Sequence, residues 1–192
     1  MKSITEDILE WSEKYLEPKN KHLGDVPVCP YARMARLKKT YRIIESTEIT
    51  QFKDNILKGI ELAKDPEVQI VIVACDDIGY EPEELDSVID ILNRVLVPQD
   101  IYLMGSHPWD DEEDEPVEFL ETDDWQPDNA FMMVLIQKFD ELEKASDNLR
   151  KNGYYSSWPN DYYQGTVLKR QSYRRYRDDT KKSRQNKKPR LS

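Results

Sequence analysis

Polar and apolar positions along the chain repeat with periods that predict alternating helices and strands. In residues 3–18, apolar side chains recur every three or four positions, as they do on one face of a helix. Ser3 and Glu6 have the spacing of a capping box, in which each side chain accepts a hydrogen bond from the other residue's backbone. Pro18 cannot continue a helix, so the first helix is predicted to end there.

The central part of the chain predicts a layered α/β domain. Short apolar runs predict strands at 41–47, 68–76, 100–108 and 130–137. Amphipathic segments predict helices at 31–39, 49–65, 81–99 and 140–153. The second of the strands contains a continuous apolar, β-branched run, which is typical of a central strand buried on both faces. No helix separates the third strand from the fourth, so these two are expected to pair antiparallel. The fold class is therefore α/β, a single layered domain with a mixed sheet of about four strands flanked by helices.

The charge distribution divides the chain into an acidic domain and a basic tail. Residues 151–192 hold twelve Lys or Arg and three Asp or Glu, which gives +9, so the first 150 residues carry −19 of the total −10. We predict an acidic α/β domain at 1–152 and an aromatic and basic tail at 153–192, partly disordered at its end. The regular structure is expected to end before Gly153, with the early aromatic residues docked on the domain.

Hydropathy and cysteine content narrow the class of protein. The chain is 38% hydrophobic, and no apolar run approaches the length needed to span a bilayer. The first residues lack the basic-then-apolar order of a signal peptide. Two cysteines do not make a disulfide framework, so we expect reduced thiols, a cytoplasmic location and no membrane partner.

Cys29 is the first candidate for chemistry. It lies between two prolines, just before the basic helix predicted at 31–39, and Pro30 suits the first turn of that helix. Amides at a helix N-terminus, together with Arg33 and Arg36, are expected to lower the thiol pKa and favour a nucleophile or a metal ligand. The alternative is a small buried hydrophobe, the role that we expect for Cys75 inside its apolar strand.

The motif CPYARMARL around Cys29 resembles the active-site turn of omega- and lambda-type glutathione transferases. That resemblance implies a glutathione- or thioredoxin-type redox role, in which a thiol substrate binds at the cysteine. In those enzymes the cysteine directly follows the first β-strand. Here a predicted helix and a polar loop precede it.

His107 is the second candidate, because it follows a predicted strand. Ligand sites in open α/β sheets lie at the carboxyl ends of strands, where Pro108, Asp76 and Asp77 are also predicted. Cys29 and His107 could then act as nucleophile and base or as two metal ligands, with Asp76 as a third catalytic group. The alternative for His107 is an ordinary surface loop residue.

The order of these motifs resembles an uncharacterised bacterial family. Its members carry Asn-Leu-Cys-Pro-Phe-Ala after a first helix and Ser-Phe-His-Pro later, and the resemblance covers residues 8–150. It implies that the functional positions are Cys29, Pro30, Ala32, His107 and Pro108. This chain departs from the pattern before Cys29 and in the long acidic stretch after His107. The resemblance supplies no reaction, so enzyme activity, substrate, cofactor and metal identity stay open.

The acidic stretch from Asp110 to Asp124 holds ten carboxylates in fifteen residues, and Trp109 and Trp125 flank it. Carboxylates can bind Ca²⁺ or Mg²⁺, but the spacing and turn glycine of an EF-hand loop are missing. A solvated acidic loop is the favoured interpretation.

The basic tail suggests a different class of function. Aromatic rings interleaved with arginines suit single-stranded nucleic acid, because bases stack on the rings while cations follow the phosphates. The candidate residues are Arg170, Tyr173, Arg174, Arg175, Tyr176 and Arg177. In the alternative interpretation, the early aromatics dock on the domain and the basic end contacts the acidic loop. A nucleic-acid-binding or assembly protein is therefore the alternative to a thiol-centred site.

Overall fold

The computed structural model describes residues 2–23, 25–108 and 131–186, without the side chains of His22 and of residues beyond 178. The predicted acidic stretch and its two flanking tryptophans lie outside the described residues. In chain order the helices and strands are α1 (Ile4–Trp11), β1 (Lys19–Asn20), β2 (Val26–Pro27), α2 (Ala32–Leu37), β3 (Tyr41–Ser46), α3 (Ile49–Leu62), β4 (Ile70–Cys75), α4 (Pro82–Leu96), β5 (Ile101–Ser106), β6 (Met132–Lys138), α5 (Phe139–Lys151), α6 (Asn160–Tyr163) and α7 (Lys169–Asn186). Short 3₁₀ or π turns lie at Ser12–Leu16, Lys21–Leu23, Val97–Gln99, Tyr154–Ser157 and Gln164–Leu168.

The main sheet has four strands in the order β3-β4-β6-β5. β3 and β4 are parallel, whereas β6 is antiparallel to both of its neighbours. All six residues of β4 are buried, as expected for a central strand covered on both faces. β1 and β2 form a separate antiparallel pair. The predicted mixed α/β sheet and the antiparallel pairing of the last two strands are confirmed.

One face of the sheet packs against α3 and α4. Phe52 and Ile56 of α3 and Leu85 of α4 are buried in the same cluster as alternate residues of the strands. Gly59 of α3 lies so close to β6 that an added Cβ would be 2.7 Å from Ile136 Cδ1. A side chain at position 59 would therefore require the Ile136 side chain to move and would crowd Val73 and Val71.

The opposite face of the sheet is covered in part by α1. Ile8 of α1 packs on Ile70 and Ile72, with Trp11 beside them. The predicted capping box is present, since the Ser3 side chain accepts from the Glu6 backbone and the Glu6 carboxylate accepts from Ser3. The predicted first helix continues as a π turn to residue 16.

The structure corrects the prediction that regular structure ends before Gly153. α5 ends at Lys151, and Gly153 has a φ of +75°, which glycine adopts without steric cost. Residues 154–186 then continue as α6, α7 and two turns. They are ordered by packing, because Tyr154, Val167 and Tyr173 are buried. Tyr173 joins Val97, Tyr102 and Phe139 in one aromatic and aliphatic cluster. Whether 1–152 and 153–192 are separable domains stays a prediction.

Candidate functional site

Cys29 lies where the sequence predicts it, just before a helix. It is half-buried in the connection between β2 and α2, where its N–H donates to Leu16 O at 3.0 Å. Its carbonyl accepts from Ala32 N at 3.1 Å, which fixes the turn into α2. Pro30 precedes the N-cap residue Tyr31, so it lies one position before the cap rather than in the first helical turn.

The expected lowering of the thiol pKa is not found. Desolvation by burial raises the pKa of Cys29 above its ordinary value, although the backbone amides of Tyr31 and Ala32 oppose that rise. The nearby carboxylate of Glu17 raises it further. Cys29 therefore has little thiolate at neutral pH, which is the opposite of an activated nucleophile.

The two arginines expected to activate the thiol are used differently. Arg33 is exposed on α2. Arg36 donates to both carboxylate oxygens of Glu17, at 2.6 and 2.8 Å. This bidentate pair joins α2 to the end of the first helix and holds the pKa of Glu17 below its usual value, although burial acts in the opposite direction.

His107 is buried, at 5% exposure, directly after β5. Its Nε2 lies 2.8 Å from Tyr80 O. A carbonyl oxygen only accepts, so Nε2 carries the proton and donates it. The histidine thus ties the end of β5 to the loop before α4 and is not the predicted surface residue.

The structure does not bring Cys29 and His107 together. Cys29 precedes α2, which leads through residues 38–40 into the amino end of β3, and the thiol adds to the rise in the pKa of Tyr41, to about 12, that burial causes. His107 follows Ser106, at the edge where the carboxyl ends of β3, β4 and β5 meet. The five steps along β3 between these edges span about 16 Å. A nucleophile and its base must lie within hydrogen-bond reach, so the predicted pair forms no single site.

The other end-of-strand candidates have structural contacts. Asp77 is exposed, and its carboxylate accepts from Ile49 N at 3.2 Å at the start of α3. Asp76 is also exposed, and its backbone N–H lies 3.4 Å from Ser46 O. Pro108 is half-buried at the limit of the described residues. No group of three or more His, Cys, Asp or Glu side chains within the described ranges is placed to hold a metal ion.

Half of the candidate residues on α7 face the rest of the protein. Arg170 Nε donates to Glu143 Oε1 of α5 at 2.6 Å, and both side chains are only 6% exposed. Tyr173 Oη donates to Asp90 of α4 at 2.8 Å. The Arg177 guanidinium lies 4.9 Å from the centre of the Phe139 ring. In this conformation these side chains are not available to a polyanion.

The remaining α7 candidates are exposed. Arg174 is partly held, since its Nη1 lies 3.4 Å from Asp147 and 3.6 Å from Glu143. Arg175 and Tyr176 are exposed to solvent. The docking of the early aromatics agrees with the alternative interpretation of the tail, while its polybasic end lies outside the described side chains.

The structure also forms a cleft of about 360 Å³ at the C-terminal end of α5. We call it the aromatic cleft, and its lining residues are Arg150, Gly153, Tyr155, Ser156, Trp158, Asn160 and Tyr163. Tyr155 and Trp158 meet edge to face, with ring centres 4.9 Å apart and planes at 89°. Arg150 Nε donates to the Tyr163 hydroxyl at 3.2 Å, which places a guanidinium beside the rings.

Sequence reasoning missed the aromatic cleft because its parts belong to elements that were assigned to different domains. Arg150 lies in the last turn of α5, whereas the rings come from the predicted tail. Tyr154 fastens the start of the tail segment to the β2 region, since its hydroxyl lies 2.5 Å from Val28 O and donates to it. The high density of aromatic residues just after Gly153 is the sequence feature that could have indicated this cleft.

The chain matches no protein-family model, no curated protein and no solved structure. The fold therefore defines only a mixed α/β protein, and the resemblance to the bacterial family stays a prediction. Of the helices in the described ranges, none has both the length and the apolar character to cross a bilayer.

Proposed function

We propose that this protein binds single-stranded nucleic acid, with one base held in the aromatic cleft. The observation that carries the proposal is the pairing of partly exposed rings with a guanidinium in one cleft, formed by Tyr155, Trp158, Tyr163 and Arg150. Unpaired bases stack on aromatic rings and on arginine planes, which gives affinity without strong sequence preference.

The charge distribution supports binding at this part of the molecule. The first 150 residues carry a net charge of −19, which repels a polyanion, whereas residues 151–192 carry +9. A nucleic acid would therefore approach the cleft from the side of the basic C-terminal helix.

The geometry favours this function over thiol chemistry. The Cys29 thiol has a raised pKa, and His107 lies at the opposite edge of the sheet. Both cysteines are free, which agrees with the reduced state expected in the cytoplasm, and we propose that location.

Fluorescence anisotropy of dye-labelled oligonucleotides tests the proposal. We expect an oligothymidylate to bind more tightly than a duplex of the same length, because stacking requires unpaired bases. Trp158→Ala removes one stacking surface worth about 1–3 kcal/mol, so binding should weaken about 5- to 150-fold. Trp158→Phe keeps a ring and should retain most of the affinity.

The matched control is Tyr31→Ala, which removes a tyrosine that is 46% exposed and lies outside the cleft. Thermal melts of each variant separate loss of binding from loss of folding. Equal binding of single strand and duplex, unchanged affinity in a folded Trp158→Ala variant, or no binding by the wild type would contradict the proposal.

A further inference from the structure

A second pocket lies along α5 beside the aromatic cleft. It has a volume of about 310 Å³, and we call it the α5–α7 pocket. Its lining residues are Asp140, Glu143, Lys144, Asp147, Asn148, Lys151, Arg174 and Arg177. The lining residues from α5 recur every three or four positions, so they lie on one face of that helix. The two arginines come from α7.

The lysines of the α5–α7 pocket are available to an anion. Lys144 and Lys151 are both exposed, and neither has an ion pair among the described residues. They lie seven positions apart, which is about 10 Å along the helix. Two unpaired ammonium groups on one helix face can each contact a separate phosphate.

Arg177 forms the buried α7 wall of this pocket. Its side chain is only 9% exposed, yet its buried Nε and Nη1 make no hydrogen bond within the described part of the chain. Nη1 lies 2.7 Å from an oxygen of the exposed Asp140, so the charge is balanced while donor capacity is left over. Arg177 is held between Asp140 and the Phe139 ring, so it closes the α7 side of the pocket and leaves the exposed lysines of α5 to contact an anion.

The carboxylates of the pocket do not cancel its positive charge. Among the side chains that the structure describes, six cations and four carboxylates lie in or directly beside it, an excess of two positive charges. The cations are Lys144, Arg150, Lys151, Arg170, Arg174 and Arg177, and the carboxylates are Asp140, Glu143, Asp147 and Asp178.

The two pockets adjoin at one ion pair. Arg150 of the aromatic cleft donates to Asp147 at 2.7 Å, and Asp147 lines the α5–α7 pocket. Asp147 also lies 3.4 Å from Arg174, so a single carboxylate links the cation of the cleft to a cation of the pocket. One extended ligand could occupy both.

We infer that the α5–α7 pocket binds the phosphodiester groups adjacent to the base held in the aromatic cleft. The inference rests on the proposed function and extends it, because it assigns a path to the strand along α5. Lys144 and Lys151 each contact a phosphate, and the partly exposed Arg174 supports them from α7.

A salt titration of oligothymidylate binding tests this path. For single strands, each phosphate contact contributes about 0.7 to the slope of log K against log salt concentration. The double variant Lys144→Gln, Lys151→Gln should therefore lower the magnitude of the slope by about 1.4. The matched control is Lys58→Gln, Lys64→Gln, which removes two exposed lysines, one in α3 and one just after it, that line neither pocket, and its slope should be unchanged.

A second probe distinguishes failure of the path from failure of the proposed function. Inorganic tripolyphosphate, titrated by calorimetry, should bind the wild type and the control, and should lose binding in the Lys144, Lys151 variant. That result supports the phosphate site even if oligothymidylate does not bind, in which case only the proposed function fails.

Two outcomes overturn the inference. One is an unchanged salt slope in the Lys144, Lys151 variant. In that case the affinity of the Trp158→Ala variant still tests the proposed function independently. The other is tighter binding of polyglutamate than of tripolyphosphate or oligothymidylate, which would assign the pocket to an acidic protein segment. If neither phosphate probe binds the wild type, both proposals fall.

Discussion

Replacing Arg170 with methionine is expected to destabilise the whole fold, although position 170 lies in the segment that the sequence assigns to a tail. Arg170 Nε lies 2.6 Å from Glu143 Oε1, and water is nearly excluded from both side chains. Arg170→Met leaves a buried carboxylate without its closest cation. The penalty arises from that desolvated charge rather than from loss of a favourable surface contact.

The structure sets how large a loss in the free energy of unfolding we expect. Removing one partner of a buried ion pair costs about 3–5 kcal/mol. Arg174 lies 3.6 Å from the other oxygen of Glu143 and compensates in part, so we expect the lower end, about 3 kcal/mol. The double variant Arg170→Met, Glu143→Leu removes both charges and should recover most of that loss.

Urea denaturation followed by far-UV circular dichroism measures the effect. A loss of about 3 kcal/mol lowers the unfolding midpoint by about 1 to 3 M urea. The control is Lys64→Met, which breaks the pair with Glu61, whose side chains are 50% and 70% exposed. Exposed ion pairs contribute less than about 1 kcal/mol to the free energy of unfolding. An Arg170→Met midpoint equal to that of the control would refute the docking of α7 on α5.

Two further predictions concern the C-terminal segment and the cysteines. Deleting residues 153–192 should lower the free energy of unfolding by several kcal/mol, because buried Tyr154 and Tyr173 are each worth about 1.5–3 kcal/mol; an unchanged denaturation curve would contradict their packing. Since burial raises the pKa of the Cys29 thiol, its alkylation by iodoacetamide at pH 7 should be slower than that of a free thiol, and its rate should keep rising beyond about pH 8.5, where that of a free thiol levels off. Mass spectrometry measures both rates, and rapid labelling of Cys29 at pH 7, or labelling of Cys75 before unfolding, would argue against the burial described.

The sheet and its helices were predictable because local pattern and tertiary packing agree there. The apolar run at 68–76 corresponds to β4, and the period of apolar residues at 81–99 corresponds to α4 and the turn that follows it. α7 was not predictable in the same way. Its buried side is made of Arg170, Tyr173 and Arg177, so it lacks the apolar stripe that marks an ordinary docked helix.

The candidate sites failed where they depended on distances between elements. The position of Cys29 before a helix follows from adjacent residues, and the structure agrees with it. Its pKa depends instead on Glu17 and on burial, which involve parts of the chain that local sequence does not locate. Arg150 and Trp158 likewise line one cleft because of a distant contact. Tyr154 anchors the turn after Gly153 to the β2 region.

The strand order has a consequence for how the chain folds during synthesis. β6 is the last strand to be made, yet it lies between β4 and β5 and pairs with both. Until residue 138 has left the ribosome, β5 has no strand partner among the described strands, and the parallel pair β3-β4 with its helices can assemble without it. Pairing such as that of Ile70 with Gln137 closes a long loop, which slows folding. The nascent chain should therefore expose the apolar edge of β4 to chaperones until its final strand arrives.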